Sequence, residues 1–208
     1  SEKQIKKRWD LTCVFHEDLP RSAHLDISQF GMLDVQMSLS VSRNLAGFNL
    51  VAAMTQEELT TMEDLVVRAL DPLMKSSDWR GRYVSLTPGH PQEITEHEHR
   101  ELVEEGLMYP SAQQSPEMTA GGLTGHWPYG RGCYISADEK TVVWVGYEDH
   151  LKFHSMHRSD VVMNDILDLL YRTVENFVTT PSVKFQHEPD KCGYVTTSPE
   201  KAGTGMQL

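Results

Sequence analysis

The residues best suited to chemistry sit together. Glu148, Asp149, His150, Lys152 and His154 follow directly on the β-branched run Thr141-Val142-Val143-Trp144-Val145, which stops at Gly146. A buried strand that delivers a carboxylate, a histidine and a cation to its end is how many α/β and α+β enzymes present reactive groups. Glu148 is the best placed general base. The structural alternative is a carboxylate paired with Lys152. His150 and His154 share a face if the strand continues, but no cysteine or carboxylate cluster completes a metal set, so both read as structural histidines. His97 and Glu101 have i, i+4 spacing, yet one pair makes a poor site, and His99 points to another face. No metal is expected. Ser198 lies at a strand end before Pro199, where nucleophiles occur, but no glycine elbow or neighbouring base supports a hydrolase triad. Gly203-Thr204-Gly205 alone is weak evidence for phosphate binding, since two glycines near a strand end more often mark a bulge or turn.

These groups need a frame. Segment 55–74 predicts a helix, with Thr55 and Glu58 in capping-box positions and Leu59, Met62, Val66 and Leu70 on one apolar face. A second helix starts at Thr95, boxed by Glu98, carries an acidic face (Glu96, Glu101, Glu104, Glu105) and ends at Gly106. A third runs over about 160–178 with Ile166, Leu169, Leu170, Val174 and Phe177 as its core stripe. Strands are expected at 83–86, 141–145 and 194–197. The stretch 109–126 reads as a long polar loop, and loops of that length tend to be functional or mobile. Residues 1–33 read as an arm or linker with a basic start. No regular βαβ alternation appears, which favours α+β.

Composition narrows the function. The 208 residues suffice for one substantial domain or most of a larger one, and a net charge of −11 disfavours nucleic acid as a partner while leaving ATP open through a few local arginines. No apolar run approaches the roughly 20 residues a bilayer span needs, and the start SEKQIKKRWD does not read as a signal peptide, so no membrane partner is expected. Cys13, Cys133 and Cys192, odd in number and scattered, read as free thiols in a reducing compartment. The expected setting is the cytoplasm, a cytoskeletal or ciliary assembly included.

Four segments in order carry a family likeness. WPYGRG at 127–132 followed by VVWVGYEDHLKFHSM at 142–156 resembles the phosphagen (guanidino) kinase pattern, a W-P-x-x-R-G turn before a strand ending W-V-x-x-E-D-H-L-[RK]. SVSRNLAGF at 40–48 is similar to the end of that family's arginine-rich strand, and GRYVSLT at 81–87 to its G-x-Y-x-x-L-T segment. CGYVTTSPEKAGTGMQ at 192–207 is similar to its signature G-[YF]-[LV]-T-x-C-P-x-N-x-G-T-[GT]-x-R. The resemblance implies an α+β fold: an antiparallel β-sheet flanked by helices, a glutamine-synthetase/guanido-kinase-like catalytic domain over 34–208 that stops before the last strands.

It also implies in-line transfer of a phosphoryl group from Mg-ATP to a guanidinium, by orientation and charge neutralisation. Glu148 then matches the guanidinium-binding carboxylate, and Ser198 replaces the family's cysteine. Arg43, Lys152, His150 and Trp144 fall on the nucleotide side, with Lys152 where an arginine is common. Ser38, Ser40 and Gln207 replace arginines, and Gly106 falls where the family often has a nucleotide-contacting histidine. One such arginine is worth roughly 10³–10⁵ in rate, so several losses should abolish turnover. The expectation is a catalytically degenerate domain, a pseudokinase serving as a structural or docking module in a larger assembly. It requires no cofactor, binds Mg-ATP or Mg-ADP weakly, and has protein partners covering the N-terminal arm and the sheet edge near Leu208. The alternative is an active ATP:guanidino phosphotransferase, of arginine or creatine kinase type, completed by sequence or a partner outside this chain.

Overall fold

The computed structural model describes residues 36–75, 80–158, 170, 173–174, 177, 183–188 and 193–207. The proposed arm over 1–33, Cys13, Cys192 and most of the proposed third helix lie outside them. Leu170, Thr173, Val174 and Phe177 of that helix are helical, and Leu170 and Phe177 are buried.

The centre is a six-stranded antiparallel sheet. Its strands are β1 (Gln36–Arg43), β2 (Gly81–Ser85), β3 (Gly132–Ser136), β4 (Thr141–Val145), β5 (Leu151–Arg158) and a short β8 (Met206–Gln207), ordered β2-β3-β4-β5-β1-β8. A separate two-stranded ribbon pairs β6 (His187–Glu188) with β7 (Gly193–Tyr194). The α+β reading therefore holds.

Helix α1 (Gln56–Met74) forms where its capping box closes. Thr55 N–H donates to Glu58 Oε2 at 2.8 Å, and Glu58 N–H donates back to Thr55 Oγ1 at 3.2 Å. Leu59, Met62, Val66 and Leu70 are fully buried against one face of the sheet, where Leu39, Val41, Tyr83, Tyr134, Val143, Val145, Leu151 and Phe153 meet them. Helix α2 (Glu96–Glu104) repeats the device with Thr95 and Glu98. It packs Leu102, with Leu107, Met108 and Tyr109, on the other face at Val84, Cys133, Ile135 and Val142.

Alternation in β-strands sends neighbours to opposite faces, and registered partners share a face. Val84, Cys133, Trp144, Lys152 and Ser42 thus form one lateral row, and His154, Ser40 and Gln207 belong to the next. Helix α2 covers the β2–β4 half of this face. The β5–β1–β8 half carries the polar residues.

One buried carboxylate ties the layers. Glu63 of α1 accepts from Tyr83 Oη at 2.9 Å, from Ser85 Oγ at 2.7 Å and from Thr87 Oγ1, while Thr87 Oγ1 accepts from Gly130 N–H. Burial, with the Glu63 charge beside it, pushes the Tyr83 phenol well above its ordinary pKa.

Two sequence expectations change. The polar loop 109–126 holds a short helix α3 (Pro116–Ala120), and Tyr109, Ala112 and Leu123 are buried. Tyr109 donates its hydroxyl to Val145 O at 2.6 Å and stacks on Tyr147 at 4.4 Å, so the segment is anchored to the sheet. The strand expected over 194–197 is regular only at Gly193–Tyr194; Val195 N–H still donates to Gln186 O at 3.3 Å, while Thr197 N–H goes to Asp149 Oδ1 at 2.7 Å.

Candidate functional site

Glu148 is held in place by its neighbours. The chain leaves β4 through Gly146 at φ +69°, where an added Cβ would stand 2.1 Å from Gly130 O. Only glycine fits so close an approach in that backbone region. Asn44, just past β1, clasps the turn that follows. Its Nδ2 donates to Asp149 Oδ1 at 2.8 Å and its Oδ1 accepts from His150 N–H at 2.9 Å. Thr197 Oγ1 donates to Glu148 O at 2.8 Å, bringing the 195–201 stretch alongside.

His150 belongs to this frame. Its Nδ1 accepts from Leu45 N–H at 2.8 Å, so the proton sits on Nε2, which faces Asn49 O at 2.8 Å. Burial pushes its pKa down to about 4 despite the nearby Asp149 charge. The ring is neutral at physiological pH and faces away from solvent.

The Glu148 side chain meets a cation, but not the expected one. Lys201 Nζ lies 2.5 Å from Glu148 Oε2, with side-chain exposures of 8% and 22%. The Glu148–Lys152 pairing read from spacing is thereby corrected. Lys152 sits in β5, whose alternation aims it along the open face. Its Nζ lies 5.5 Å from the Trp144 ring centroid and 3.4 Å from Gln207 Oε1. Burial, and then the Lys201 charge, lower the Lys152 pKa. His154 packs against Trp144 with centroids 4.1 Å apart and ring planes tilted by 48°, and its Nε2 has no hydrogen-bond partner among the described residues. Its pKa falls to about 3 through burial and then the charges of Lys152 and Lys201.

The remaining sequence candidates divide between the two faces. Ser38 is exposed on β1, Ser40 is buried opposite both His154 and Gln207, and Ser198 opens the turn that ends in Lys201. Arg43 follows the Leu39–Val41 parity, opposite Leu151, away from the Lys152 row. Its Nη1 donates to Ser42 O and Thr204 O, and its guanidinium lies 3.6 Å over the Tyr194 ring. Burial lowers its pKa to about 10. Gly203-Thr204-Gly205 forms the turn that Arg43 grips through Thr204 O. Gly106 sits at φ +76° after α2. His97 pairs with Glu101 at 3.3 Å in solvent, and His99 Nε2 contacts Tyr109 O. Among the described residues no group of three His, Cys, Asp or Glu could hold a metal.

Sequence reasoning missed Lys201, Asn44 and Tyr109. Only Lys201 left a signal, since it stands where the resembling signature has asparagine.

The chemistry these groups offer is a half-buried carboxylate already neutralised by an ammonium, beside a second lysine and an aromatic wall. Among known proteins, the profile described as ATP:guanido phosphotransferase, C-terminal catalytic domain, matches residues 61–208. An arginine kinase from Anthopleura japonica is 30% identical over 169 residues, which make up 81% of this chain and 22% of that protein. The substrate-free duplicated taurocyamine kinase from Schistosoma mansoni superposes with a TM-score of 0.76 at 24% identity, over 91% of this chain and 25% of its own. A lombricine kinase gives a TM-score of 0.69 at 17% identity, over 82% and 45%. This chain thus spans about a fifth to a half of the proteins it matches.

Proposed function

Because the chain belongs to the ATP:guanido phosphotransferase family through its C-terminal catalytic domain, we propose that it is a catalytically degenerate member that acts as a structural or docking module. The observation that carries this reading is the row Ser40–His154–Gln207 with exposed Ser38 nearby. Three positions where the family likeness calls for phosphate-clamping arginines hold two serines and a glutamine. In-line phosphoryl transfer relies on preplaced cations that neutralise charge developing on the phosphoryl oxygens. Lys152 keeps one charge there but lacks the bidentate fork of arginine, and Gln207 leans on it. Arg43 is committed to backbone carbonyls on the other parity. The residues present therefore do not fit a nucleoside triphosphate well.

Two measurements on the full-length protein test this. Calorimetry with Mg-ADP, alone and then with arginine plus nitrate, should show no binding at the micromolar level, and a phosphotransfer assay should show no turnover. The combined variant S38R/S40R/Q207R/S198C should gain nucleotide affinity. Wild-type turnover equal to that of the restored variant overturns the reading.

A second reading is favoured by the 22% coverage of the arginine kinase relative. In it, an active ATP:guanidino phosphotransferase draws its missing cations from sequence or a partner outside the 208 residues. Turnover by the full-length wild type decides for it.

A further inference from the structure

The contact between Lys201 and Glu148 differs from an ordinary surface ion pair. Exposed pairs contribute little because water screens them and both side chains wander. Here both partners are largely enclosed, at 8% and 22% exposure, and both backbones are pinned. Lys201 ends the 3-10 turn Pro199–Lys201, its N–H donating to Ser198 O at 3.1 Å and its carbonyl accepting from Gly205 N–H at 2.8 Å. Glu148 is held through its own carbonyl by Thr197 Oγ1 at 2.8 Å. The ammonium is thus delivered to the carboxylate by two short, hydrogen-bonded segments.

We propose that Lys201 is a tethered stand-in for a guanidinium: it occupies Glu148 and makes this site reject guanidino compounds. The inference rests on reading Glu148 as the carboxylate that would hold such a group. A guanidinium entering from solution must evict the ammonium, and the evicted charge then has no partner in an enclosed setting that already contains Lys152. Separating one partner from an enclosed pair is far more costly than separating an exposed one. A tether also gives the lysine a high effective concentration at Glu148 that no free ligand matches at low concentration. The signature likeness calls for asparagine at this position. That residue is neutral and shorter, and it would leave both Glu148 oxygens open to a planar, bidentate cation.

The test uses the full-length protein, L-arginine as probe and no nucleotide. Wild type should show no saturable heat of binding. K201N should bind L-arginine about tenfold or more tightly than wild type, the scale set by releasing one competing charge-assisted contact. K201R, which offers a tethered guanidinium of its own, should stay as closed as wild type. Equal affinity of wild type and K201N, or of K201R and K201N, overturns the proposal. Should K201N fail to fold by near-ultraviolet circular dichroism, reductive methylation of wild type decides. Lys201 should resist labelling with or without L-arginine, and labelling that appears when L-arginine is added overturns the proposal. Wild-type binding of L-arginine without turnover refutes only this inference, whereas turnover refutes the degenerate reading of the preceding subsection.

Discussion

His150 makes the acid stability of this domain calculable. The ring is fully buried, with Nδ1 accepting from Leu45 N–H and Nε2 facing Asn49 O, and an edge contact to Phe48 with centroids 6.0 Å apart. Protonating the ring would bury a charge, so burial depresses the folded pKa to about 4 against the opposing pull of Asn49 O and Asp149. An unfolded chain returns the ring to about 6.5. Between those values the unfolded state binds the proton and the folded state does not, so stability falls as pH falls. The loss from this one group is about 2 kcal/mol by pH 5 and about 3 kcal/mol by pH 4, with nothing lost above pH 7. Urea denaturation at pH 4 to 8 measures it, comparing wild type with H150Q. Other titrating groups contribute to both curves, so the difference isolates His150. H150Q should be less stable than wild type at pH 7, and the gap should narrow by about 2 kcal/mol at pH 5. A gap constant with pH refutes the reasoning and puts a proton acceptor, not a fixed neutral ring, at that position.

Two further outcomes follow from buried polar geometry. E63A leaves the hydroxyls of Tyr83, Ser85 and Thr87 without their shared acceptor. At about 1–3 kcal/mol for each buried donor left unsatisfied, it should lose at least about 3 kcal/mol in urea denaturation, and a loss under 1 kcal/mol would mean the carboxylate does not bind the layers. G146A drives a methyl to 2.1 Å from Gly130 O at φ +69°. It should lower the thermal midpoint by roughly 8 °C or more, since strain of a few kcal/mol is unavoidable there, and an unchanged midpoint would count against the close approach.

What the sequence made legible was whatever is encoded locally. Helices α1 and α2 announce themselves through capping boxes closed within four residues, Thr55 with Glu58 and Thr95 with Glu98, and α1 also through i, i+3, i+4 apolar spacing. Strand β4 shows as a β-branched run. The misreadings all involve partners distant along the chain. Tyr109 looks like an isolated apolar residue in a polar stretch, and its burial comes from distant partners, the β4 carbonyl of Val145 36 positions away and the Tyr147 and Trp144 rings. Thr197 has good strand propensity, but its N–H goes to Asp149. Glu148 and Lys152 are four apart, which suggests a pair, yet Lys152 in β5 reaches Gln207 Oε1 and the Trp144 ring instead. The actual partner comes from 53 positions downstream.

The same sheet explains how serines can stand on β1 where the family likeness calls for arginines. In β1, Leu39 and Val41 face the core beneath α1, while Ser38, Ser40 and Ser42 take the alternate parity. Substituting on that parity leaves the apolar packing untouched, because adjacent strand positions project to opposite faces. Serines there add no further positive charge on the face that Lys152 shares. Groups that hold the turn at Glu148 work differently. Asn44, Asp149 and His150 form a connected set, so losing one strands another in a buried environment. Cations whose only work is to meet a phosphate can therefore vanish at little cost to stability, whereas the carboxylate's scaffold cannot. Glu148 stays presented because the fold requires its frame, and the ammonium of Lys201 satisfies the charge that the frame continues to present.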